Sequence, residues 1–233
     1  MPLLLAFDTA TRHCAVVLSD GARPLAWRED ASEHFSHAER LNVFIQEVMV
    51  EAGLPLSALD AVAVGIGPGS YTGLRIGLSA AKGLCFALDK PLIGLPTLEV
   101  LVHQLRSTGV VLNGTDHLRP MIDARRMEVF SRTFTKEGAA LDDTAPAVLD
   151  EAWCAALPAG CRTVVFGDGA DKAAGLWDGL PHVLHVPGIR PAVHGSAACA
   201  AAYFEQGRSS DLAYLVPDYG KAPNVTQPKK KAG

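Results

Sequence analysis

A glycine-rich segment near residue 70 constrains the fold of this chain more than any other feature. The segment spans residues 67–73, with the sequence GPGSYTG, and it directly follows a continuous apolar run at residues 61–66. An apolar run bounded by glycines is typical of a strand that is buried on both faces. Because a helical pattern follows over residues 72–88, the sequence predicts a strand–loop–helix unit of an α/β protein.

Small residues recur at four-residue steps on the predicted helix, at Gly73, Gly77 and Ala81. An interior glycine costs a helix roughly 1 kcal/mol relative to alanine, so the stripe predicts the close approach of another backbone. Arg75 lies in the first turn of the same helix, where its charge opposes the helix dipole. This position predicts an acidic or anionic partner for the guanidinium.

The glycine-rich segment resembles a phosphate-binding loop in outline, because helix N-termini favour anions. It does not match the pattern G-x-x-x-x-G-K-[ST], since Leu74 and Arg75 follow Gly73. Contact with a ligand and a purely structural turn therefore both stay open at this segment.

A second helix is predicted on the amino-terminal side of this unit. Ser36 and Glu39 have the spacing of a capping box, and Gly53 supplies a stop. Between them, apolar side chains recur with the period of one buried helix face, at Leu41, Phe44, Ile45, Val48 and Met49.

The remaining elements follow from apolar periodicity and turn residues. Strands are predicted at residues 3–7, 14–18, 24–29, 92–94, 118–123, 127–134 and 163–166. Helices are predicted at residues 97–107, with Thr97 as the cap, and at 148–157 and 192–206. We therefore expect an α/β fold of two lobes, residues 1–109 and a smaller lobe at 110–233, with a flexible basic tail from about residue 222.

Two turns that follow predicted strands are candidates for a nucleotide site. Asp8, Thr9 and Thr11 follow the first strand, where hydroxyls and backbone amides can cradle a phosphate and the carboxylate can hold a metal or water. A simple hairpin is the favoured interpretation of that turn. The second turn comprises Gly167, Asp168 and Gly169 and follows a later predicted strand. It is compatible with contact to an adenosine, although a tight strand-to-helix connection explains it equally well.

The sequence contains no evident catalytic or metal-binding set. His34 and His37 are three residues apart, but no third ligand follows at helical spacing, and a zinc site needs at least three protein ligands. Asp123 and Arg125 lie at the end of a predicted strand, where a structural ion pair that closes the turn is the favoured interpretation. We therefore expect no catalytic residue, no metal and no intrinsic cofactor in this chain.

Charge and cysteine content limit the ligands and the environment. A formal net charge of −4 argues against a free-standing nucleic-acid-binding protein, which needs a basic surface. Five scattered cysteines without C-x-x-C spacing favour a reducing compartment. The apolar start is interrupted by Asp8, and no apolar run approaches the length of a membrane span, so a cytoplasmic protein is expected.

Four segments taken together resemble the TsaB (YeaZ) family. They are residues 5–11 (LAFDTAT), 37–41 (HAERL), 67–77 (GPGSYTGLRIG) and 122–125 (IDAR), of which the third is the most specific. The resemblance extends to Pro217, Tyr219 and Lys221, where the family has the pattern P-x-Y-x-R, and so it covers nearly the whole chain.

This resemblance implies an actin-like, two-lobed fold of the ASKHA class, which is similar to ribonuclease H. It also implies a role in making N6-threonylcarbamoyladenosine (t6A) at position 37 of tRNAs that read ANN codons. In that family the related partner TsaD carries out the catalysis, so this chain is expected to be a non-catalytic scaffold. Its expected partners are TsaD, the ATPase TsaE and, in isolation, a second copy of itself. Binding of tRNA is expected only through the complex, and of ATP or ADP only at a partner interface.

The resemblance gives a use to the two predicted helices near the amino end. An apolar face on one and small residues on the other predict a four-helix contact with a second copy, in competition with TsaD. The predicted interface comprises His37, Arg40, Leu41, Phe44, Ile45, Val48, Gly69, Ser70, Tyr71, Thr72, Gly73, Arg75, Gly77, Leu78 and Ala81.

Two enzyme classes stay open as alternatives. One is an ATP-dependent small-molecule kinase of the same fold, with Asp8 as the base and the turn at residues 167–169 at the adenosine. The other, which has less support, is a metallopeptidase.

Overall fold

The protein is described from a computed structural model, and the description covers residues 1–30 and 37–221, without the side chain of residue 37. The predicted cap at Ser36, His34 of the histidine pair and the basic tail from residue 222 lie outside the described residues. Within those ranges, no helix combines the length and the apolar character that crossing a membrane requires.

A five-stranded sheet forms the amino-terminal half of the fold. Its strands are β1 (Leu3–Asp8), β2 (Cys14–Asp20), β3 (Arg23–Asp30), β4 (Ala61–Gly67) and β5 (Leu92–Pro96). They lie in the order β3-β2-β1-β4-β5; the first three form an antiparallel meander, and β4 and β5 run parallel to β1. The strands predicted from the apolar runs in this half are confirmed.

Helices cover both faces of this first sheet. Helices α1 (His37–Ala52) and α2 (Tyr71–Leu88) pack on one face, and α7 (Val193–Glu205) packs on the other, beside α3 (Thr97–Ser107). Side chains alternate along β1, so that Phe7 joins the core beneath α1 and α2, whereas Ala6 joins the core beneath α7. The sheet is therefore buried on both sides, as the continuous apolar runs predict.

A second sheet follows in the chain. Its strands are β6 (His117–Asp123), β7 (Glu128–Ser131), β8 (Phe134–Thr135), β9 (Ala145–Val148), β10 (Thr163–Phe166) and β11 (Val183–Val186). The order is β11-β10-β6-β7-β9, with β8 paired to β6, and β10 runs parallel to both of its neighbours. Short helices pack on this sheet: α4 (Glu151–Ala155), α5 (Asp168–Asp171) and α6 (Ala174–Trp177).

Two predicted elements of the second half are wrong in their bounds. The strand predicted at residues 127–134 is divided into β7 and β8, because the Thr133 amide and hydroxyl both donate to the Asp142 carboxylate instead of continuing the ladder. The helix predicted at residues 148–157 begins only at α4. There, the Asp150 carboxylate caps the helix by accepting from the Trp153 amide at 2.7 Å, and Val148 belongs to β9.

The cap predicted for α3 is also wrong. Pro96 occupies the cap position, and Thr97 is the first residue of the helix. The division near residue 110 stays a prediction, and the chain after the second sheet returns to the first, since α7 lies against β1 and β3.

The contact between α7 and α3 depends on a glycine and provides a test of the packing. A β carbon at Gly195 would lie 2.5 Å from the Val100 carbonyl oxygen, which is backbone and cannot move aside cheaply. Gly195→Ala should therefore lower the free energy of unfolding by about 1–3 kcal/mol, as overpacking does. The control Gly175→Ala, whose β carbon would meet no described residue within 4 Å, should not lower it. Denaturant unfolding measures both values, and equal stability of the two variants would contradict this packing.

Candidate functional site

The turn after β1 holds a carboxylate that is shielded from solvent. Asp8 is 1% exposed, and one of its oxygens accepts from the Ala10 amide at 2.8 Å. The other oxygen, Oδ2, has no hydrogen-bond partner within the described part of the chain. Burial raises the pKa of Asp8 from its ordinary value of 3.8 to about 6, against the opposing effect of the Ala10 hydrogen bond.

The glycine-rich loop covers this turn. The Ser70 amide donates to the Ala10 carbonyl at 2.6 Å, and the Thr9 hydroxyl donates to the Gly73 carbonyl at 2.7 Å. Ser70 also caps α2, because its hydroxyl oxygen accepts from the Gly73 amide at 3.2 Å. The loop and the turn thus satisfy each other's polar groups.

Three glycines are required by this contact. A β carbon at Gly65 would lie 2.1 Å from Asp8 Oδ2, and one at Gly69 would lie 2.3 Å from the Ala10 carbonyl oxygen. At Gly77 it would lie 2.5 Å from the Thr9 hydroxyl oxygen. Gly65 was not among the predicted site residues, although an isolated glycine within an apolar strand is the sequence signal of such a close approach.

The same geometry tests whether the turn fits a nucleotide phosphate. A phosphate cradle needs backbone amides and hydroxyls that are free to donate. Here the Ala10 amide donates to Asp8, the His13 amide donates to Thr11 at 3.2 Å, and the Thr9 hydroxyl donates to Gly73. These three donors are therefore engaged within the chain and are not free to bind a phosphate in this arrangement.

The carboxyl-terminal segment closes over the same loop. The Asp218 amide donates to the Ile66 carbonyl at 2.7 Å, and the Tyr219 ring stacks on Tyr71 with centroids 4.7 Å apart. Arg75 Nε donates to the Tyr219 hydroxyl at 3.0 Å, and the guanidinium lies 4.4 Å from the Tyr71 ring centroid. The prediction of an acidic or anionic partner for Arg75 is therefore wrong for the described chain, because two tyrosines contact it.

Much of the predicted interface on α1 and α2 faces this chain's own sheet. Eight of its residues are buried: Leu41, Phe44, Ile45, Val48, Gly73, Gly77, Leu78 and Ala81. The stripe of small residues predicted a close approach to another backbone, and the structure shows that Gly77 approaches Thr9 and Val64 of the same chain. The prediction that this stripe contacts a partner protein is therefore corrected, because the stripe packs within this chain.

A different part of the same helix pair is open to solvent. A cleft of about 410 Å³ separates the helices and is lined by Ala38, Leu41, Asn42, Arg75, Ile76, Ser79 and Ala80. Tyr71 and Thr72 are exposed at the start of α2, and Arg40 on α1 lies 3.4 Å from Asp30. Of the predicted interface residues, Leu41 and Arg75 line this cleft, whereas Tyr71 and Thr72 lie about one helical turn before Arg75.

The second predicted turn, after β10, is a tight strand-to-helix connection. Gly167 has a φ of 102°, and a β carbon there would lie 2.3 Å from the Met121 carbonyl oxygen. Asp168 accepts from the Asp123 amide at 2.9 Å, and burial raises the pKa of Asp168. Gly169 is buried against the same strand, β6.

The predicted ion pair between Asp123 and Arg125 is wrong. The Asp123 carboxylate accepts from the Arg125 backbone amide at 2.7 Å, and its ion pair is made with the Lys172 ammonium. Among residues 1–30 and 37–221, no three His, Cys, Asp or Glu side chains are grouped so as to hold a metal ion.

Several known proteins are similar to this chain. The family model described as "TsaD: tRNA N6-adenosine threonylcarbamoyltransferase" matches residues 29–157, more than half of the chain. The "tRNA threonylcarbamoyladenosine biosynthesis protein TsaB" of Haemophilus influenzae is 34% identical over 134 residues, which cover 58% of this chain and 54% of that protein. The chain thus spans about half the length of the curated relatives it matches.

Solved structures agree with the sequence relatives. YeaZ from Pseudomonas aeruginosa superposes with a TM-score of 0.77 at 27% identity, over 94% of this chain and all of that one. Component A of the (R)-2-hydroxyglutaryl-CoA dehydratase of Acidaminococcus fermentans shares the fold alone, with a TM-score of 0.54 at 9% identity, over 89% of this chain and all of that one.

The fold is that of an actin-like α/β protein of the ASKHA class. Within that class, and within the group that the TsaD family model describes, this chain belongs to the TsaB (YeaZ) family. The expected fold class and family are both confirmed.

The buried carboxylate of Asp8 gives a test by pH. Because the folded-state pKa of Asp8 exceeds the unfolded one, its contribution favours folding at low pH and is lost as the pH rises from about 4 to about 6. Asp8→Asn cannot ionise and keeps an acceptor for Ala10. The variant should therefore be equal to the parent in stability near pH 4 and more stable by about 2–3 kcal/mol above pH 7.

Urea unfolding across this pH range measures the difference between variant and parent. The control is Asp143→Asn, at an exposed carboxylate, which should show no comparable pH-dependent gain. If the difference in unfolding free energy between Asp8→Asn and the parent stays constant from pH 4 to pH 8, ionisation of Asp8 does not destabilise the fold as expected.

Proposed function

We propose that this chain is a non-catalytic scaffold subunit in the synthesis of t6A at position 37 of ANN-decoding tRNAs. It would bind and activate TsaD, the catalytic subunit, and would act with the ATPase TsaE. Membership of the TsaB family supports the process, since the H. influenzae relative is named for threonylcarbamoyladenosine biosynthesis. The geometry of the α1 and α2 surface supports the mode of action.

The open surface of α2 carries the proposal. Small residues form an outward stripe on this helix at Ser79, Ala80 and Gly83, next to the cleft between α1 and α2. A β carbon at Gly83 would meet no described residue within 4 Å, so no contact among residues 1–30 and 37–221 explains this glycine. Since an interior glycine destabilises a helix, its presence on an open face fits close packing against a partner helix.

Exposed apolar side chains on the same two helices would add a driving force for association. Phe86 on α2 is 83% exposed, and Val43 and Val50 on α1 are exposed as well. Such side chains gain free energy when a second protein covers them. We expect a homodimer in isolation and exchange of one copy for TsaD in the working complex, with both partners using this face.

The closed turn after β1 supports the absence of intrinsic catalysis. The Ala10 and His13 amides and the Thr9 hydroxyl bond within the chain, so ATP or ADP is proposed to bind only where a partner contributes to the site. Contact with tRNA is likewise proposed to occur through the complex, in the cytoplasm.

The sharpest test adds bulk to the open stripe without disturbing the chain itself. Gly83→Arg fills open space and improves helix propensity, so the variant should fold at least as stably as the parent. It should nevertheless weaken self-association and binding to TsaD by tenfold or more, because the arginine holds the partner helix away. Light scattering measures the mass, and calorimetric titration with TsaD measures the affinity.

Gly175→Arg is the matched control, because it places the same residue at an exposed glycine of α6, where the β carbon would also lie more than 4 Å from every described residue. It should retain parental mass and affinity. In reconstituted tRNA modification with TsaD, TsaE and ATP, omission of the chain or use of Gly83→Arg should reduce t6A formation. Undiminished t6A formation without the chain would refute the scaffold function.

A further inference from the structure

The hairpin that joins β6 and β7 has a backbone conformation that its residue types do not favour. Arg125 and Arg126 at its tip have φ angles of 74° and 51°, in the left-handed region. Glycine, asparagine and aspartate adopt this region readily, whereas a long side chain is strained there. Among residues 1–30 and 37–221, the only other non-glycine residue with a positive φ is Asp89, at the C-cap of α2. Two adjacent arginines therefore occupy a turn in which smaller residues would be more stable.

The hydrogen bonds of this turn do not require arginine side chains. The Ala124 amide donates to the Glu128 carbonyl at 3.0 Å, and the Glu128 amide donates to the Arg125 carbonyl at 3.1 Å. The Arg125 amide donates to the Asp123 carboxylate at 2.7 Å. Because all three bonds use only main-chain atoms of the arginine, any residue that tolerates the backbone could form them. Folding of the hairpin thus leaves the choice of arginine unexplained.

The two guanidinium groups make no contact that stabilises the fold. Arg125 and Arg126 are both exposed, and neither side chain has a hydrogen bond or an ion pair within the described part of the chain. Arg162 behaves differently, since its guanidinium lies 2.6 Å from the Asp116 carboxylate. Two adjacent positive charges without a carboxylate partner repel each other, so their presence at one tip favours an external anion.

The carboxylates around the turn are already engaged. Asp123 forms an ion pair with the Lys172 ammonium, and Glu128 forms one with the Lys221 ammonium. The neighbouring carboxylate of Asp168 accepts from the Asp123 amide at 2.9 Å, and burial raises the pKa of Asp168. The lysines therefore balance the two flanking carboxylates, and the tip keeps the charge of its two arginines.

A phosphate backbone is the ligand that suits such a tip. A guanidinium binds phosphate oxygens through paired hydrogen bonds, and a nucleic acid presents a phosphate at every nucleotide. Strain at the tip is then retained for the sake of binding, as occurs at functional positions. The formal net charge of −4 opposes binding of RNA by the isolated chain, so this contact would add to those of a partner.

We propose that Arg125 and Arg126 contact the phosphate backbone of tRNA when this chain acts in its complex with TsaD. The inference rests on the proposed function and adds a contact surface to it. This surface belongs to the second sheet, whereas α1 and α2 pack on the first. The two arginines position the RNA and take no part in the chemical step.

Replacing both arginines by turn-forming residues tests the proposal. The double variant Arg125→Asn, Arg126→Gly tolerates the left-handed backbone, so the melting temperature of the chain should not fall. In complex with TsaD, the variant should bind tRNA at least tenfold more weakly than the parent. The slope of log affinity against log salt concentration should become shallower by about one for each arginine removed. Fluorescence anisotropy with labelled tRNA measures both quantities.

The control double variant Arg23→Asn, Arg106→Asn removes the same charge from exposed positions on β3 and α3. It should keep the parental tRNA affinity within about twofold and the parental salt dependence, because these arginines lie outside the tip. Lysine at both tip positions keeps the charge and should retain most of the salt dependence. An equal loss of affinity in the control would show that only the total charge matters, and it would overturn the proposal.

Three further outcomes would overturn the proposal. The first is a tip variant with unchanged tRNA affinity, and the second is one that loses affinity for TsaD in calorimetric titration, since the tip would then contact protein. The third is competition between ATP and tRNA that disappears in the tip variant, which would assign the arginines to a nucleotide. In each case, t6A formation that still requires the parental chain would leave the scaffold function standing.

Discussion

The contact between the glycine-rich loop and the turn after β1 is the interaction on which the rest of this structure depends. The Ser70 amide and the Thr9 hydroxyl join the two segments across adjacent parallel strands. The same contact fixes where α2 begins, because Ser70 caps that helix. It also forms the floor on which the carboxyl-terminal segment lies, through the stack of Tyr219 on Tyr71. The turn after β1 is thereby a packing site for the loop and the carboxyl-terminal segment.

As a consequence, the inner and the outer side of α2 have different surroundings. Gly77 on the inner side lies against the chain's own turn, whereas Gly83 on the outer side lies in open space. The inner side stabilises the fold, and the outer side is available for association. The open helix surface is the feature on which the proposed scaffold function rests.

The sequence alone predicted the elements that depend only on residues close to one another in the chain. The apolar runs predicted the strands of the first sheet, and the buried face of α1 follows from helical spacing. The inner stripe of α2 was misassigned because spacing identifies a close approach but not the approaching backbone. Arg75 was misassigned because its partner, Tyr219, lies 144 residues further along the chain. The break between β7 and β8 depends on Asp142, another distant contact. No local pattern in the sequence contains such information.

Amide hydrogen exchange of the isolated chain, measured by NMR with and without Mg·ATP, tests most directly whether the turn is closed. We expect slow exchange at the Ala10, His13 and Ser70 amides, because each donates within the chain, and the same rates when Mg·ATP is present. Rapid exchange at these amides, or new protection when Mg·ATP is added, would show a free phosphate cradle and contradict the closed turn.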